Sequence, residues 1–368
     1  MDDQKYMRIA LELAECGCGW AAPNPMVGAV VVKDGRIIGK GYHERYGQPH
    51  AERNALADCK ESPNGADLYV TLEPCCHYGK QPPCVEAVLE AGIRRVIIGS
   101  DDPNPLVAGK GIQFLREHGV TVTEHVLKKE CDALNEVFFY YIQTGLPYVV
   151  MKYAMTLDGK IAAYTGESKW VTGKAAREHV QQLRHRYSAI MAGVGTVLAD
   201  DPLLTCRMEG GKDPVRIICD SALRTPVTAQ VVATAAQVPT ILATCCTDAR
   251  RHAPYEKAGC RILAVGEQDG QVDLRELMRR LGQEKIDSIL LEGGGTLNWS
   301  ALKSGIVRKV QAYIAPKIFG GQSAKTPVEG TGFPSPAEAV VLKRSTLIRL
   351  GDDFLIESEV DSSVYGDR

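Results

Sequence analysis

Residues 74–84 read PCCHYGKQPPC and place Cys75, Cys76, His77 and Cys84 in one short loop. Upstream, residues 50–52 read HAE and open a stretch, HAERNALADCKES, with helical spacing. Cysteine and histidine crowded in this way are metal ligands or buried thiols, and the choice decides the fold of the first half of the chain. Cys84 follows Pro82-Pro83. Proline suits the first turn of a helix, whose N–H groups have no partner within the helix. His50 likewise begins a helix. A helix N-terminus carries partial positive charge and favours a thiolate over a thiol.

His50 and Glu52, then Pro74-Cys75 and a later cysteine, fit the H-x-E…P-C…C signature of zinc deaminases. The usual second spacing is C-x-x-C, whereas eight residues lie between Cys75 and Cys84. Two thiolates and a neutral imidazole balance a zinc ion and leave a fourth position for water, the catalytic arrangement; four protein ligands make a structural site. Glu52, two residues from His50, would not share its face of a regular helix. It is expected to reach the water and not the metal, as general acid–base. Two other readings stand beside this one: a structural knot of Cys75, Cys76, His77 and Cys84, and no metal at all. Neighbouring side chains on extended backbone point apart, which argues against Cys75 and Cys76 sharing one ion. The expected ligands are therefore His50, Cys75 and Cys84, with Cys76 as filler. His77 and Lys80 fall beside the metal, as substrate contacts or as solvated loop residues.

At 368 residues the chain exceeds one ordinary core and is expected to hold two domains. A net charge of −2 without a basic run weighs against nucleic acid. No apolar run reaches the roughly 18 residues of a membrane helix. The acidic start MDDQKYMRIALELAE lacks the features of a signal peptide. A cytoplasmic protein is expected, and its 12 cysteines are read as ligands and buried thiols, not disulfides. Residues 3–16 predict a helix, and MVGAVVV and RIIGKGY a hairpin about Asp34-Gly35. Helix, strand, helix, strand, helix and strand follow, then one long helix through KKECDALNEVFFYYIQTG. Gly145 and Pro147 break the chain, giving expected domains 1–145 and 147–368. The second begins with the strand YVVMKYAM and alternates strands with helices, again α/β. The tail from residue 351 is expected to finish a strand and then fray.

LLEGGGTLNW, residues 290–299, is strand, glycine loop and helix. Such a turn lets backbone N–H groups approach a pyrophosphate at a helix N-terminus. It is neither G-x-G-x-x-G nor a P-loop, and a tight packing turn is the alternative. Arg184 and Arg207 suit a phosphate, because a guanidinium binds it bidentately; a solvated basic helix face is the alternative for Arg184. Asp200 and Asp201 precede Pro202 and could cap a turn. Lys152 lies on a strand expected to be buried, which is unusual without a partner. It is a candidate catalytic or substrate-orienting group.

PNPMVGAVVV (23–32), HAE (50–52), TLEPCCHYGKQPPC (71–84) and DPNPLVAGKG (102–111) resemble the deaminase half of the bifunctional deaminase/reductase family of riboflavin biosynthesis. MTLDGKIA (155–162), KWVTG (169–173), GVGTVLADDPLLTCR (193–207), LEGGG (291–295) and APKIFGG (315–321) resemble its reductase half. Cys76 stands where serine is usual, and Gln81 where threonine is usual. The resemblance implies a cytidine-deaminase-like α/β/α sandwich followed by a dihydrofolate-reductase-like α/β domain. It implies zinc-dependent deamination of a phosphoribosylated diaminopyrimidinone, then NADPH-dependent reduction of the ribosyl group to ribityl. It assigns Asn24, His43, His77 and Lys80 to the deaminase pocket. Ser168, Arg184, Leu204, Arg207 and Glu292 go to the reductase substrate. Ala154, Trp170, Thr196, Asp200, Ser221 and the run Gly294, Gly295, Thr296, Leu297, Asn298, Trp299 and Ser300 go to the cofactor. Ser221 and Arg224 are candidate contacts for its 2′-phosphate. A small-molecule partner and a homo-oligomer are expected, with no nucleic acid or membrane. The competing readings are a nucleoside or nucleic-acid zinc deaminase with an unrelated second domain, and a binding module with structural zinc.

Overall fold

The computed structural model describes residues 2–361, and the chain divides after Gly145 into two compact units. In the first, α1 (Asp3–Glu15) precedes the hairpin of β1 (Gly28–Lys33) and β2 (Arg36–Tyr42). Asp34 and Gly35 both take positive φ at its tip, 49° and 76°, as a tight hairpin requires. Then come α2 (Ala51–Ala57), β3 (Asp67–Leu72), α3 (Cys84–Glu90), β4 (Arg95–Ser100), α4 (Lys110–Glu117), β5 (Thr121–Thr123), α5 (Lys128–Leu134) and α6 (Glu136–Thr144). The sheet runs β2-β1-β3-β4-β5, with β3, β4 and β5 parallel. Its residues alternate between two cores. Ala29, Val31, Leu68 and Val70 pack with α2, α3 and α4. Val30, Val32, Tyr69 and Ile97 pack on Tyr6, Met7 and Ala10 of α1. A sheet covered on both faces by helices is an α/β/α sandwich. At Gly41 a Cβ would lie 2.3 Å from the Ala55 nitrogen. The missing side chain lets α2 rest its backbone directly on β2, which places His50 and Glu52.

Two sequence expectations change here. The spacing of 128–145 predicts one helix, but the chain breaks at Asn135. That side chain, 2% exposed, donates to the Met26 carbonyl at 2.9 Å and accepts the Met26 N–H at 2.8 Å. The long-range clamp replaces continuation of the helix. The strand expected over VTVTEHV is confined to Thr121–Thr123, because His125 and Leu127 turn the backbone through positive φ.

The second unit opens with β6 (Tyr148–Thr156), α7 (Lys174–Arg186), β7 (Ala189–Gly193), α8 (Val194–Asp200) and β8 (Val215–Cys219). It continues through α9 (Gln230–Ala233), β9 (Thr240–Thr244), α10 (Ala249–Lys257), β10 (Arg261–Ala264) and the short pair β11 (Glu267–Gln268) and β12 (Gln271–Val272). It closes with α11 (Leu274–Gln283), β13 (Ser288–Leu291), α12 (Gly295–Lys303), β14 (Val307–Ala315), β15 (Leu342–Leu350) and β16 (Asp353–Val360). The order is β10-β9-β8-β7-β13-β6-β14-β16-β15. The strands from β10 to β14 are parallel, and β15 and β16 are antiparallel additions. From β7 the chain passes through α8 towards β8; from β13 it passes through α12 to β14 on the other side. The strand order therefore reverses between β7 and β13, and ligands of open parallel sheets bind at such a switch, beyond the strands' C-terminal ends. The fraying expected of the extreme tail lies outside the described residues.

Asn135→Ala should leave the overall fold in place and expose the Met26 N–H. Two buried hydrogen bonds at roughly 1 kcal/mol each should lower hydrogen-exchange protection at that amide well before protection falls in β4. Unchanged protection at Met26 would contradict the clamp.

Candidate active sites

β3 runs through Glu73-Pro74 into Cys75. His50 caps the start of α2 in an extended conformation, and Cys84 is the first residue of α3. His50 Nδ1 lies 3.5 Å from Cys75 Sγ and 3.4 Å from Cys84 Sγ. All three ligand atoms fall within 4.8 Å of one another. Tetrahedral zinc bonds put nitrogen and sulfur ligands about 3.6 Å apart, so these donors fit a single zinc ion. Cys76 Sγ is instead directed at the Leu106 carbonyl, 3.7 Å away. The Cys84 thiol donates to Cys75. That bond, with His50, holds Cys75 down to about 4 and, with burial, pushes Cys84 up. Glu52 is 3% exposed. Burial, followed by the charge of Cys75, raises its carboxyl pKa. It is a buried acid beside the metal donors that can carry a proton.

His43 faces His50 edge-on, ring centres 5.3 Å apart. Its Nδ1 lies 3.1 Å from the Pro49 carbonyl, and its Nε2 lies 3.1 Å from Asn24 Nδ2. A carbonyl only accepts, so Nδ1 carries the proton and Nε2 accepts from the Asn24 amide. Burial lowers the pKa of this ring, which keeps it neutral. The Asn24 amide is thereby fixed. His77 Nδ1 is buried without a hydrogen-bond partner among the described residues. Lys80 lies over the Tyr46 ring at 3.9 Å, and Gln81 Nε2 donates to the Gly47 carbonyl at 3.0 Å. These contacts hold the inserted loop against residues 46–47.

Sequence reasoning passed over Glu73. Its buried carboxylate accepts the N–H groups of Gly109, Gly111 and Ile112 at 2.9, 3.0 and 3.2 Å. It ties DPNPLVAGKG to the strand end that presents Cys75. The available signal was an acid at the end of an apolar strand, since such a group is rarely buried without partners.

In the second unit two cavities lie at the strand ends and share Ile161 and Ser168. One, of about 360 Å³, is lined by Thr196, Asp200, Arg224, Gly294, Gly295, Thr296 and Leu297, among others. The glycine-flanked N-termini of α8 and α12 both open onto it, and their unpaired N–H groups suit a pyrophosphate. The other, of about 270 Å³, is lined by Lys152, Ala154, Ser168, Trp170, Arg177, Arg184, Arg207 and Glu292, among others. Ala154 and Trp170, assigned to the cofactor, thus face the cavity that holds the assigned substrate residues.

Several assigned residues line neither cavity. Asn298 is fully buried and donates to the Pro327 carbonyl at 2.8 Å. Trp299 packs on Phe333. Ser300 bonds back to the Thr296 carbonyl within α12. They point elsewhere because successive helical side chains are about 100° apart. Leu204 belongs to a hydrophobic core, and the Ser221 carbonyl accepts from the Cys245 N–H and the Thr244 hydroxyl.

Lys152 has the partner its burial demands. Its Nζ is 3.4 Å from Glu292 Oε2. Arg184 binds the same carboxylate through Nε at 2.8 Å and Nη2 at 3.1 Å, and donates to the Thr205 carbonyl at 2.9 Å. Arg184 lines the cavity to which its phosphate reading assigns it, and there its fork grips Glu292. Burial alone would raise the Glu292 carboxyl, but Arg184 and Lys152 outweigh it and hold Glu292 down to about 2.

Together these features define a zinc-type deaminase joined to a nucleotide-dependent reductase. Residues 1–100 match the family described as cytidine and deoxycytidylate deaminase zinc-binding region, and residues 147–356 match the RibD C-terminal domain. The riboflavin biosynthesis protein RibD of Actinobacillus pleuropneumoniae is 55% identical over 98% of this chain and 96% of its own. That of Bacillus amyloliquefaciens is 41% identical over 99% and 98%. Among solved structures, Acinetobacter baumannii RibD superposes with a TM-score of 0.87 at 37% identity, covering 98% of this chain and 99% of that one. A diaminohydroxyphosphoribosylaminopyrimidine deaminase/5-amino-6-(5-phosphoribosylamino)uracil reductase from Thermotoga maritima superposes at 0.85 with 37% identity and the same coverage. The chain belongs to the RibD family of bifunctional enzymes, which carry out a deaminase and a reductase step of riboflavin biosynthesis. Zinc serves the first unit and NADPH the second. The reductase match across the second half overturns the alternative of an unrelated domain there.

Cys84→Ser should lose zinc, whereas Cys76→Ser should retain about one ion per chain; metal analysis showing the reverse would remove Cys84 from the ligand set. At Gly294 an added Cβ meets only Thr196 Oγ1 at 3.8 Å, while at Gly295 it lies 2.5 Å from Glu329. Gly294→Ala should therefore weaken NADPH binding roughly tenfold by crowding the phosphates at unchanged thermal stability. Gly295→Ala should also lower stability. Unchanged NADPH affinity in Gly294→Ala would make the loop a packing turn.

Proposed function

We propose how the two reactions divide among this chain's residues, with residues 1–145 as the deaminase domain and 147–368 as the reductase domain. The substrate is 2,5-diamino-6-(5-phosphoribosylamino)pyrimidin-4-one, and the final product is 5-amino-6-(5-phosphoribitylamino)uracil. The convergence of His50, Cys75 and Cys84 beside buried Glu52 carries the first step. Zinc, when bound by these three residues, supplies the Lewis acidity that makes water nucleophilic near neutral pH. Glu52 takes one proton from the attacking water and delivers it to the ring nitrogen, then carries the second, from the added hydroxyl, to the amine, so that the C–N bond breaks and the amine leaves as ammonia as the carbonyl forms. Asn24, fixed by His43, holds the pyrimidine. His77 and Lys80 extend the contacts along the inserted loop.

In the reductase, NADPH supplies a hydride when bound. Its phosphates are placed at Gly294 to Leu297 and Thr196, and Asp200 lies at the same cavity. Arg224 is the candidate for its 2′-phosphate. Ser168 lines both cavities and so stands where cofactor and sugar meet. Glu292 orients Lys152, which holds a proton at Nζ facing the sugar. A cytoplasmic homo-oligomer is part of this reading. No described helix is long and apolar enough to cross a membrane. The edge strand β15 is exposed along almost its whole length, with Leu347 at 67%, and an exposed edge strand is a template for pairing with another copy.

Glu52→Gln keeps the size of the side chain but cannot accept a proton. Ammonia release should fall by roughly 10²-fold or more with zinc content unchanged. The same protein should oxidise NADPH when given the deaminated pyrimidine and stay nearly idle with the aminated one, because a site built to hydrogen-bond one group rejects its replacement. Equal NADPH oxidation on both substrates would show that reduction does not wait for deamination.

A further inference from the structure

The larger reductase cavity crosses the ends of several strands, and its lining gives it a direction. Ile161 and Ser168 follow β6 and belong to the end shared with the smaller cavity. Thr196 follows β7, and Gly294 to Leu297 follow β13. Cys219 ends β8, and Arg224 lies in the turn beyond it. Across the sheet these strands stand in the order β8, β7, β13, β6. A dinucleotide with its phosphates at the ends of β7 and β13 therefore sends one half towards β6 and the other towards β8. The hydride must reach the substrate cavity, so the nicotinamide takes the β6 end and the adenosine the β8 end.

Gln271 is the one side-chain amide among the residues lining this cavity. It belongs to the hairpin of β11 and β12, which follows β10, on the β8 side of the sheet and away from β6. Backbone contacts join the hairpin to the strand ends there. The Asp273 N–H donates to the Gly266 carbonyl at 2.9 Å, the Cys245 thiol reaches that same carbonyl at 3.6 Å, and the Cys245 N–H donates to the Ser221 carbonyl at 3.1 Å. The next residue, Val272, is 4% exposed and packs in the main core. Neighbouring side chains on extended backbone point apart, so the anchoring of Val272 turns Gln271 outwards. Its amide is exposed, with no hydrogen-bond partner among the described residues.

We propose that Gln271 binds the adenine base of the cofactor and makes this site prefer adenine to hypoxanthine. The inference rests on the reductase reading of this unit. A carboxamide carries an N–H donor and a C=O acceptor side by side. Adenine presents the complement, N7 as acceptor beside the N6 amino donor, and glutamine can meet both at once. Hypoxanthine has a carbonyl oxygen in place of the amino group, which leaves the Gln271 oxygen without a donor. Arg224 only donates and Asp200 only accepts, so neither matches this pair of atoms.

The test measures dissociation constants of the full chain for NADPH and for its hypoxanthine analogue, through the fluorescence of the reduced nicotinamide. Wild type is compared with Gln271→Leu, which removes both polar atoms. Wild type should bind NADPH roughly tenfold more tightly than the analogue, and Gln271→Leu should bring the two constants to about the same value. The ratio of NADH to NADPH constants should stay as in wild type. A wild type without base preference, or a preference that survives in Gln271→Leu, overturns the assignment while leaving the reductase reading intact. A shift in the NADH-to-NADPH ratio with no change in base preference overturns it in favour of a 2′-phosphate contact. A wild-type chain that binds none of the three dinucleotides overturns the reductase reading, and the inference with it.

Discussion

A parallel strand can be followed by another only through a crossover, usually a helix. That constraint places helix N-termini at the C-terminal edge of each sheet, and the chemistry of both units is assembled there. In the first unit, β3 delivers Cys75 to the edge where α3 begins with Cys84 and α2 begins after His50. In the second, β7 and β13 end beside one another and their chains depart in opposite directions through α8 and α12. The unpaired N–H groups of first helical turns face outwards at such an edge. In one unit this field favours thiolate ligands, and in the other it favours the phosphates of a cofactor.

Three glutamates show how environment separates chemically identical groups. Glu52 is enclosed, and burial raises its pKa. It can take up and release a proton. Glu73 is equally enclosed but faces backbone N–H groups, so it acts as a clamp for the loop 102–111. Glu292 meets Arg184 and Lys152 and stays ionised. It serves as an anchor for these two cations. A buried charge persists only when paired or hydrogen-bonded, and the partner decides the role.

Local signals were legible where a short stretch makes its own structure. Asp34-Gly35 turns between two apolar runs, and glycine after β13 opens α12. The H-x-E and P-C pairs carry their meaning in a few residues, because ligands at the start of a helix need only local geometry to face one way. What depends on distant partners was not legible. Asn135 breaks a helix because of Met26, 109 positions away. Arg184 is claimed by Glu292, 108 positions away. Asn298, Trp299 and Ser300 follow the glycine loop in sequence but turn with the helix away from the cavity.

The sequence by itself determined the two-unit α/β plan, the zinc-deaminase signature and the family. These follow from hydrophobic period, turn residues and motif spacing, which are properties of neighbours along the chain. Only the tertiary structure decided which charges remain available. Arg184 and Arg177 lie seven positions apart on one helix; one faces a carboxylate and the other faces open cavity. That difference arises from where β13 and the 168–172 segment come to rest. Pairing energies depend on distance through space, and sequence alone does not contain that distance.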